Sequence, residues 1–335
     1  MSDDTIMKAN DVSGYVTLQE KLSWGVLFEG LLTKNNPSLD DIMTYEAVME
    51  QPIINIKKYA TNYFQNIYPN CSVIASDKVE GIRVGCTISI IQSDTEALLK
   101  RYFVKTHHNG YSTEGYYRTN TERCHENEII VYKTLELLDI LPELHYFGSM
   151  TMDEGGLYMA TLDAAYESNY FVTKNNWKRT TEIKQNREVD DCILLMRMLD
   201  QIFSLRDGYE NGANYGFVFK SGVRPALKVI DMMVESDFVV PNKEKIKSCI
   251  LQEIAFVVHV EKSHKYTLPE VCSLVRKIIP GTVKFTNLLV RAKAYLEDVR
   301  RMWPQYVCKS SRLDDFIDAV LAWHDFFLHH DDSLD

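Results

Sequence analysis

The sequence predicts an α+β protein with two lobes, in which a β-rich first half is preceded by helices and the second half is mostly helical. Three observations predict this class. Residues 73–91 ("VIASDKVEGIRVGCTISII") and 101–106 ("RYFVKT") are rich in β-branched and aromatic side chains, as strands are. From Asn242 onward, apolar residues recur at helical spacing. The length of 335 residues also exceeds what one small hydrophobic core organises.

The individual elements follow from the same periodicities. The predicted helices are at 19–32, 55–67, 121–138, 187–205, 243–260, 268–279, 284–301 and 313–328. The predicted strands are at 73–91, which we expect to form an antiparallel hairpin or meander, and at 101–106, 146–148, 156–160, 215–220 and 226–230. We expect residues 1–160 to form the N-lobe and residues 161–335 a helical C-lobe, with a hairpin-containing segment at 204–234.

Composition and charge exclude several classes of protein. With a net charge of −10, the chain as a whole lacks the basic surface that nucleic acid or an anionic membrane selects, so we expect no nucleic acid as a partner. Seven scattered cysteines without a CxxC pair indicate reduced thiols. The first thirty residues contain no signal-peptide core, and no apolar run approaches the ~18 residues that span a bilayer. We therefore expect a cytoplasmic protein, with the nucleus as the alternative.

Asp231 is the first candidate for a functional residue. It interrupts the apolar segment "KVIDMMV", where a buried carboxylate costs several kcal/mol unless it is paired or holds a cation. The acid therefore requires a partner.

Lys105 and Glu128 form a second candidate pair. Lys105 lies within a strand of aromatic and β-branched residues, so it is either an exposed edge lysine or a paired one. Glu128 shares a helical stripe with Val131 and Tyr132, and an acid on a buried stripe needs a cation. A Lys–Glu pair of this kind aims an ammonium at phosphates. The alternatives are that Glu128 lies at the rim of the stripe or that Glu126 takes its role.

The segment 204–219 ("SLRDGYENGANYGFVF") holds the remaining candidates. Asp207, Asn211 and Asn214 crowd into a glycine-bounded loop that precedes the predicted hairpin, and this hairpin ends at Asp231. Turn chemistry alone explains many such loops. The alternative is that Asp207 serves as a base while Asn211 or Asn214 and Asp231 bind metal around a phosphoryl group.

Together, these motifs resemble the protein-kinase-like fold, in its choline-kinase and aminoglycoside-phosphotransferase branch, which includes ecdysteroid-kinase-like proteins. "FVKT" resembles the strand with the lysine, "HENEIIVYKTLELLDILPELHYFG" the helix-to-strand passage with the glutamate, "GLYMATLD" the hinge strand and "KVIDMM" the strand before the metal-binding aspartate. The resemblance spans residues 73–238 and rests on the order and spacing of the motifs.

The resemblance implies a phosphotransferase that uses ATP and Mg²⁺ in a cleft between the lobes, with a small-molecule hydroxyl as acceptor. It implies that Lys105 contacts the phosphates, Glu128 orients the lysine, Asp207 acts as the base, and Asp231 holds metal with Asn211 or Asn214.

Departures from the family pattern keep a second function open. Leu205 stands where the family has a histidine, and "DMM" replaces the usual D-F-G or D-F-E. These departures favour a catalytically inactive pseudokinase that binds a protein partner. A third alternative, a helical adaptor, would be favoured if residues 73–160 formed no sheet.

The C-terminal segment "WHDFFLHHDDSLD" contains His324, His329 and His330 together with acids. Because the run lies at a chain end and contains no pair of histidines at i, i+4, we interpret it as solvated surface.

Overall fold

The computed structural model describes residues 39–78, 84–107, 123–149, 156–165, 171–179, 186–206, 211–219, 224–235, 239–260, 265–310 and 312–330. Within these ranges the protein is a mixed α+β protein, as predicted. Its helices are α1 (Leu39–Ile67), α2 (Glu126–Leu137), α3 (Lys174–Arg179), α4 (Arg187–Phe203), α5 (Lys243–Val260), α6 (Leu268–Arg276), α7 (Thr282–Met302) and α8 (Leu313–His329). Its strands are β1 (Cys71–Asp77), β2 (Gly85–Gln92), β3 (Leu98–Thr106), β4 (Cys124–His125), β5 (Leu144–Gly148), β6 (Leu157–Leu162), β7 (Phe171–Thr173), β8 (Leu205–Arg206), β9 (Tyr215–Val218), β10 (Ala226–Val229), β11 (Met233–Val234) and β12 (Val307–Cys308).

The chain divides into two compact units that interleave in sequence. Unit 1 takes its described residues from Met1–Cys124, His145–Leu162 and Trp303–Tyr306. Unit 2 takes them from His125–Leu144, Asp163–Met302 and Val307–Asp335. Helix α2 thus belongs to unit 2. The predicted division after residue 160 places this helix in the N-terminal half instead. The interpretation of the two halves as an N-lobe and a C-lobe stays a prediction.

The centre of unit 1 is a five-stranded sheet in the order β1-β2-β3-β6-β5. Strand β1 pairs antiparallel with β2, β2 with β3, and β3 with β6. The hairpin predicted over 73–91 and the strand predicted over 101–106 are therefore confirmed, with β1 and β2 as the two arms of the hairpin. The helical adaptor would be favoured only if residues 73–160 formed no sheet, and this sheet therefore counts against it.

Helix α1 packs on one face of this sheet. Strand side chains alternate between the two faces, and Tyr102 and Val104 of β3 belong to the fully buried cluster that α1 covers. Phe64 of α1 stacks on Tyr102 with ring centroids 4.4 Å apart. By the same alternation, Phe103 and Lys105 lie on the opposite face of the sheet.

Several boundaries differ from the predicted ones. The predicted helix over 121–138 begins only at Glu126, because residues 124–125 form β4, which pairs with β12. This tertiary pairing outweighs the local helix propensity. Strand β7 and helix α3 have no counterpart among the predicted elements, since three and six residues are too few to show a periodicity. The helix predicted at 19–32 lies outside the described residues.

Unit 2 is built mainly from packed helices. Helix α4 packs against α5, α6 and α8. Helix α6 begins with a capping box: the Glu270 N–H donates to Thr267 Oγ1 at 3.4 Å, and the Thr267 N–H donates to Glu270 Oε2 at 2.9 Å. In the described part of the chain, no helix is both long and apolar enough to cross a membrane.

His324 of α8 is buried, so its interpretation as part of a solvated end is wrong. Only 2% of the residue is exposed, because it lies on the apolar stripe of α8. Its ring stacks on Phe285 with centroids 4.4 Å apart, and its Nε2 donates to the carbonyl oxygen of Pro280 at 2.9 Å. Burial lowers the pKa of His324, against smaller opposing effects of Pro280 and Asp325. His329, one turn later, is exposed, as predicted.

We expect His324 to make folding pH-dependent. Because its pKa is lowered in the folded state, the unfolded chain binds a proton first as the pH falls below about 6.5, the ordinary histidine pKa. The stabilisation by His324 is therefore complete above that pH and is lost below it. Urea unfolding should show that the advantage of the wild type over His324→Gln shrinks as the pH falls. His259→Gln, which changes an exposed histidine of α5, is the control and should leave this pH-dependent advantage in place. An advantage of equal size at about pH 5 and about pH 8 would contradict a buried neutral imidazole.

Candidate functional site

Lys105 lies in the interior of the sheet of unit 1. It belongs to β3, the third of the five neighbouring strands, and only 6% of it is exposed. The strand register places it opposite Gly85 of β2 and Met159 of β6. A Cβ atom at Gly85 would lie 2.4 Å from the carbonyl oxygen of Val104, so the close approach of β2 and β3 requires glycine here. The alternative interpretation of Lys105 as an exposed edge lysine is wrong.

Glu128 lies on the buried stripe of α2, as the helical periodicity predicts. Glu128 is 3% exposed, and Val131 and Tyr132 on the same stripe are 0% and 1% exposed. The alternative position at the rim of the stripe is therefore wrong. Lys105 belongs to unit 1 and Glu128 to unit 2, and the ion pair between them stays a prediction.

Glu126, the alternative partner for Lys105, binds other groups within unit 2. The residue is 0% exposed. Arg300 Nη2 of α7 donates to Glu126 Oε1, and the main-chain N–H of Ser310 donates to Glu126 Oε2 at 3.0 Å. Both carboxylate oxygens therefore have partners in unit 2, which favours Glu128 over Glu126 for the predicted role.

Asn214 and Asp231 are brought together by the main chain of unit 2. Strands β9 and β10 form the predicted hairpin, with Tyr215 opposite Val229. At the open end of this hairpin, the carbonyl oxygen of Asn214 accepts hydrogen bonds from the N–H groups of Ile230 at 2.8 Å and Asp231 at 3.1 Å. Asn214 is 9% exposed, and Asp231 is partly buried. A carboxamide residue and a carboxylate residue are therefore held next to each other.

Asn211 closes the turn that leads into Asn214. Its Oδ1 accepts from the N–H of Ala213 at 3.1 Å, and its carbonyl oxygen accepts from the N–H of Asn214 at 2.8 Å. Its Nδ2 donates to Asn214 Oδ1 at 3.2 Å. The turn-chemistry interpretation thus explains Asn211. Of the two asparagines, Asn214 is the one joined to Asp231.

Asp207, the predicted base, lies outside the described residues, and its role stays a prediction. The segment that leads to it is described. Leu205 and Arg206 of β8 pair antiparallel with Val234 and Met233 of β11. This pairing brings the main chain that precedes Asp207 next to the main chain that follows Asp231.

The hydroxyl of Tyr132 contacts the segment at Asp231, which the sequence analysis did not predict. Tyr132 Oη donates to the carbonyl oxygen of Met232 at 2.9 Å and accepts from the Met232 N–H at 3.1 Å. It also lies 3.3 Å from Asp231 Oδ1. Periodicity identifies Tyr132 only as a core residue. The one available signal is that a buried tyrosine hydroxyl needs a hydrogen-bond partner, and this signal does not say which partner.

Lys174 is a second residue that the sequence analysis missed. It begins α3, is 4% exposed, and its Nζ lies 5.6 Å from the ring centroid of Tyr215. The N–H of the following residue, Asn175, donates to the carbonyl oxygen of Gly212 at 3.1 Å, which connects α3 to the turn before Asn214. A buried ammonium thus lies beside the residue that follows Asn214. No local pattern in "FVTKNN" signals this burial.

In unit 2, the structure joins Asn211, Asn214 and Asp231 in one hydrogen-bonded arrangement. Carboxylate and amide oxygens of this kind are the ligands that Mg²⁺ takes in proteins, so the chemistry of the donor set fits the predicted metal. A scan against protein-family models and searches of curated proteins and of solved structures find no match to this chain.

Proposed function

We propose that this protein transfers the γ-phosphate of ATP to a hydroxyl group of a small molecule, with Mg²⁺ as cofactor. The reaction is that of the protein-kinase-like phosphotransferases which the sequence resembles. Asp231 and Asn214 would hold the metal, and Asp207 would accept the proton of the acceptor hydroxyl. Lys105 would contact the phosphates, and Glu128 would orient Lys105.

The observation that carries this proposal is the position of Asn214 next to Asp231, held by main-chain hydrogen bonds. Protein kinases hold Mg²⁺ with an aspartate and with an asparagine of the catalytic loop. In this chain, Asp231 follows β10 and Asn214 precedes β9, and the Asn214 carbonyl oxygen accepts main-chain hydrogen bonds from Asp231 and from the preceding Ile230. When bound, Mg²⁺ would neutralise phosphate charge, which is most of what phosphoryl transfer asks of a protein.

The order of the elements supports the same reaction. In protein kinases the phosphate-contacting lysine is on the third strand and its glutamate is on the helix that follows. Lys105 is on β3, and Glu128 is on α2, the next helix among the described residues. The pairing of β8 with β11 then joins the segment before Asp207 to the segment after Asp231.

A second candidate function is that of a pseudokinase, with the same resemblance but no phosphate transfer, which binds a protein partner. A contact of one metal-binding candidate favours it. Asn214 Oδ1, the oxygen that would bind the metal, already accepts a hydrogen bond from Asn211 Nδ2 at 3.2 Å. In addition, Leu205 stands where the resemblance implies a histidine.

Binding of Mg²⁺·ATP to Asp231 can be measured by thermal unfolding. A ligand that binds only the folded state stabilises that state by about 2.7 kcal/mol when its concentration is about one hundred times its Kd. We expect ATP to raise the Tm of the wild type more with Mg²⁺ than with EDTA. Asp231→Asn should lose this Mg²⁺-dependent part, because an amide is a weaker ligand than a carboxylate. Asp314→Asn, which changes an exposed acid of unit 2, should keep it.

Phosphate transfer then separates the two candidate functions. We expect γ-labelled ATP to label a member of a panel of small hydroxyl compounds in the presence of the wild type, and no member with Asp231→Asn or Asp207→Asn. Nucleotide binding without transfer, or no Mg²⁺-dependent shift at millimolar ATP, would contradict the phosphotransferase and favour the pseudokinase.

A further inference from the structure

Each main-chain N–H group from Val229 to Met232 donates a hydrogen bond. The N–H of Val229 donates to the carbonyl oxygen of Ile140 at 3.0 Å, and those of Ile230 and Asp231 donate to Asn214. The N–H of Met232 donates to Tyr132 Oη at 3.1 Å. In this series of four, Tyr132 supplies the one acceptor that is a side chain, so a substitution can remove it.

The Tyr132 hydroxyl has two acceptors in reach but only one proton. It donates to the carbonyl oxygen of Met232 at 2.9 Å or to Asp231 Oδ1 at 3.3 Å, and it accepts from the N–H of Met232. One buried phenol thus accepts from the Met232 N–H and divides its single proton between the Met232 carbonyl oxygen and the Asp231 carboxylate. Tyr132 is 1% exposed, so water cannot easily replace it.

We infer that Tyr132 is a positioning residue for Asp231: its hydroxyl sets the orientation, and thereby the cation affinity, of that carboxylate. The inference rests on the proposed function, in which Asp231 holds the metal. Groups that hydrogen-bond to a metal ligand commonly change metal affinity by about 10–100-fold when they are removed. Tyr132→Phe removes one oxygen atom and retains the buried ring, so it tests the hydroxyl alone.

The experiment measures Mn²⁺ binding in the presence of ATP by the loss of the free-ion paramagnetic resonance signal. We expect the wild type to bind Mn²⁺, Asp231→Asn to lose this binding, and Tyr132→Phe to weaken it by about 10–100-fold. The matched control is Tyr266→Phe, because Tyr266 Oη donates to a different carboxylate of unit 2, Asp191 Oδ1, at 3.0 Å. This control should lose stability without losing Mn²⁺ affinity.

The outcomes separate the inference from the proposed function. Loss of binding in Asp231→Asn together with wild-type affinity in Tyr132→Phe overturns the inference and leaves the proposed function intact. Equal weakening in Tyr132→Phe and Tyr266→Phe also overturns it, since the effect is then one of general stability. Absence of Mn²⁺·ATP binding in the wild type overturns the metal assignment of Asp231 and, with it, the inference.

A measurement on the wild type covers the case in which Tyr132→Phe does not fold. Hydrogen exchange of the Met232 N–H reports directly on its bond to Tyr132 Oη. We expect this exchange to slow when Mn²⁺·ATP binds, because a cation on Asp231 and the phenol fix the same segment. An unchanged rate at saturating Mn²⁺·ATP overturns the inference.

Discussion

Replacing Phe64 by alanine is expected to lower the free energy of unfolding of unit 1 by about 3–5 kcal/mol, the usual cost of deleting a buried aromatic ring. Phe64 is 0% exposed. Its ring stacks on Tyr102 at 4.4 Å between centroids and meets Tyr63 edge-on at 5.2 Å and Phe147 at 6.2 Å. The substitution would remove these contacts and leave a cavity between α1 and the sheet.

Phe103→Ala is the matched control for Phe64→Ala. Phe103 has the same side chain but is 42% exposed, on the face of β3 opposite to α1. We expect Phe103→Ala to lower the free energy of unfolding by about 1 kcal/mol or less. Amide hydrogen exchange, read peptide by peptide, would measure the loss of stability within unit 1 for each of the two variants. Equal effects of the two variants would contradict the packing of α1 on the sheet.

Replacing Glu126 by alanine should have an effect of similar size in unit 2. Removing one partner of a buried ion pair costs about 3–5 kcal/mol, because the other charge stays buried without compensation. The side chains of Glu126 and Arg300 are 1% and 23% exposed. The N–H of Ser310 would also lose its acceptor. Glu297 still pairs with Arg300, so we expect the lower end of this range.

The control for Glu126→Ala is an exposed ion pair on α7, the helix that carries Arg300. Asp298 and Arg301 have side chains 53% and 77% exposed. Asp298→Asn should change the unfolding free energy by no more than about 0.5 kcal/mol, since exposed pairs contribute little. The loss of unfolding free energy in Glu126→Gln should fall between those of Glu126→Ala and Asp298→Asn, because glutamine keeps an acceptor for the Ser310 N–H but has no charge. Equal unfolding midpoints in urea for Glu126→Ala and Asp298→Asn would contradict the buried pair.

The position of Glu126 also matters for the candidate site. Helix α2 carries Glu128 and Tyr132 on its buried stripe, and its first turn is tied to α7 through Arg300. The same short helix thus bears the predicted partner of Lys105 and the hydroxyl that contacts Asp231.

Most elements of this fold could be predicted from local pattern. The helix over 243–260 has the predicted bounds, and the hairpin of β1 and β2 lies where β-branched residues cluster. The strands that the local pattern did not predict have a shared cause. Residues 124–125 form β4 by pairing with β12, and β7 forms by pairing with β9. Both pairings are contacts between segments that are distant in the chain. A window of local sequence cannot contain them.

For the candidate site, the residue types were predictable and most of the pairings were not. Asp231 at the end of an apolar run requires a partner on energetic grounds alone. Its neighbours in the structure, Asn214 and the Tyr132 hydroxyl, come from two different elements. Lys174 shows the same limit, because nothing in its local sequence indicates a buried ammonium.

The sequence by itself determined the kinds of elements, their order and which faces are apolar, because helices and strands impose periods of 3.6 and 2 on the side chains that they bury. The tertiary structure alone decided how the buried polar groups are satisfied. Glu126 and Arg300 are 174 residues apart in the chain, and Tyr132 and Met232 are 100 apart. A buried charge or hydroxyl demands a partner, but only the folded chain selects which of many distant groups supplies it.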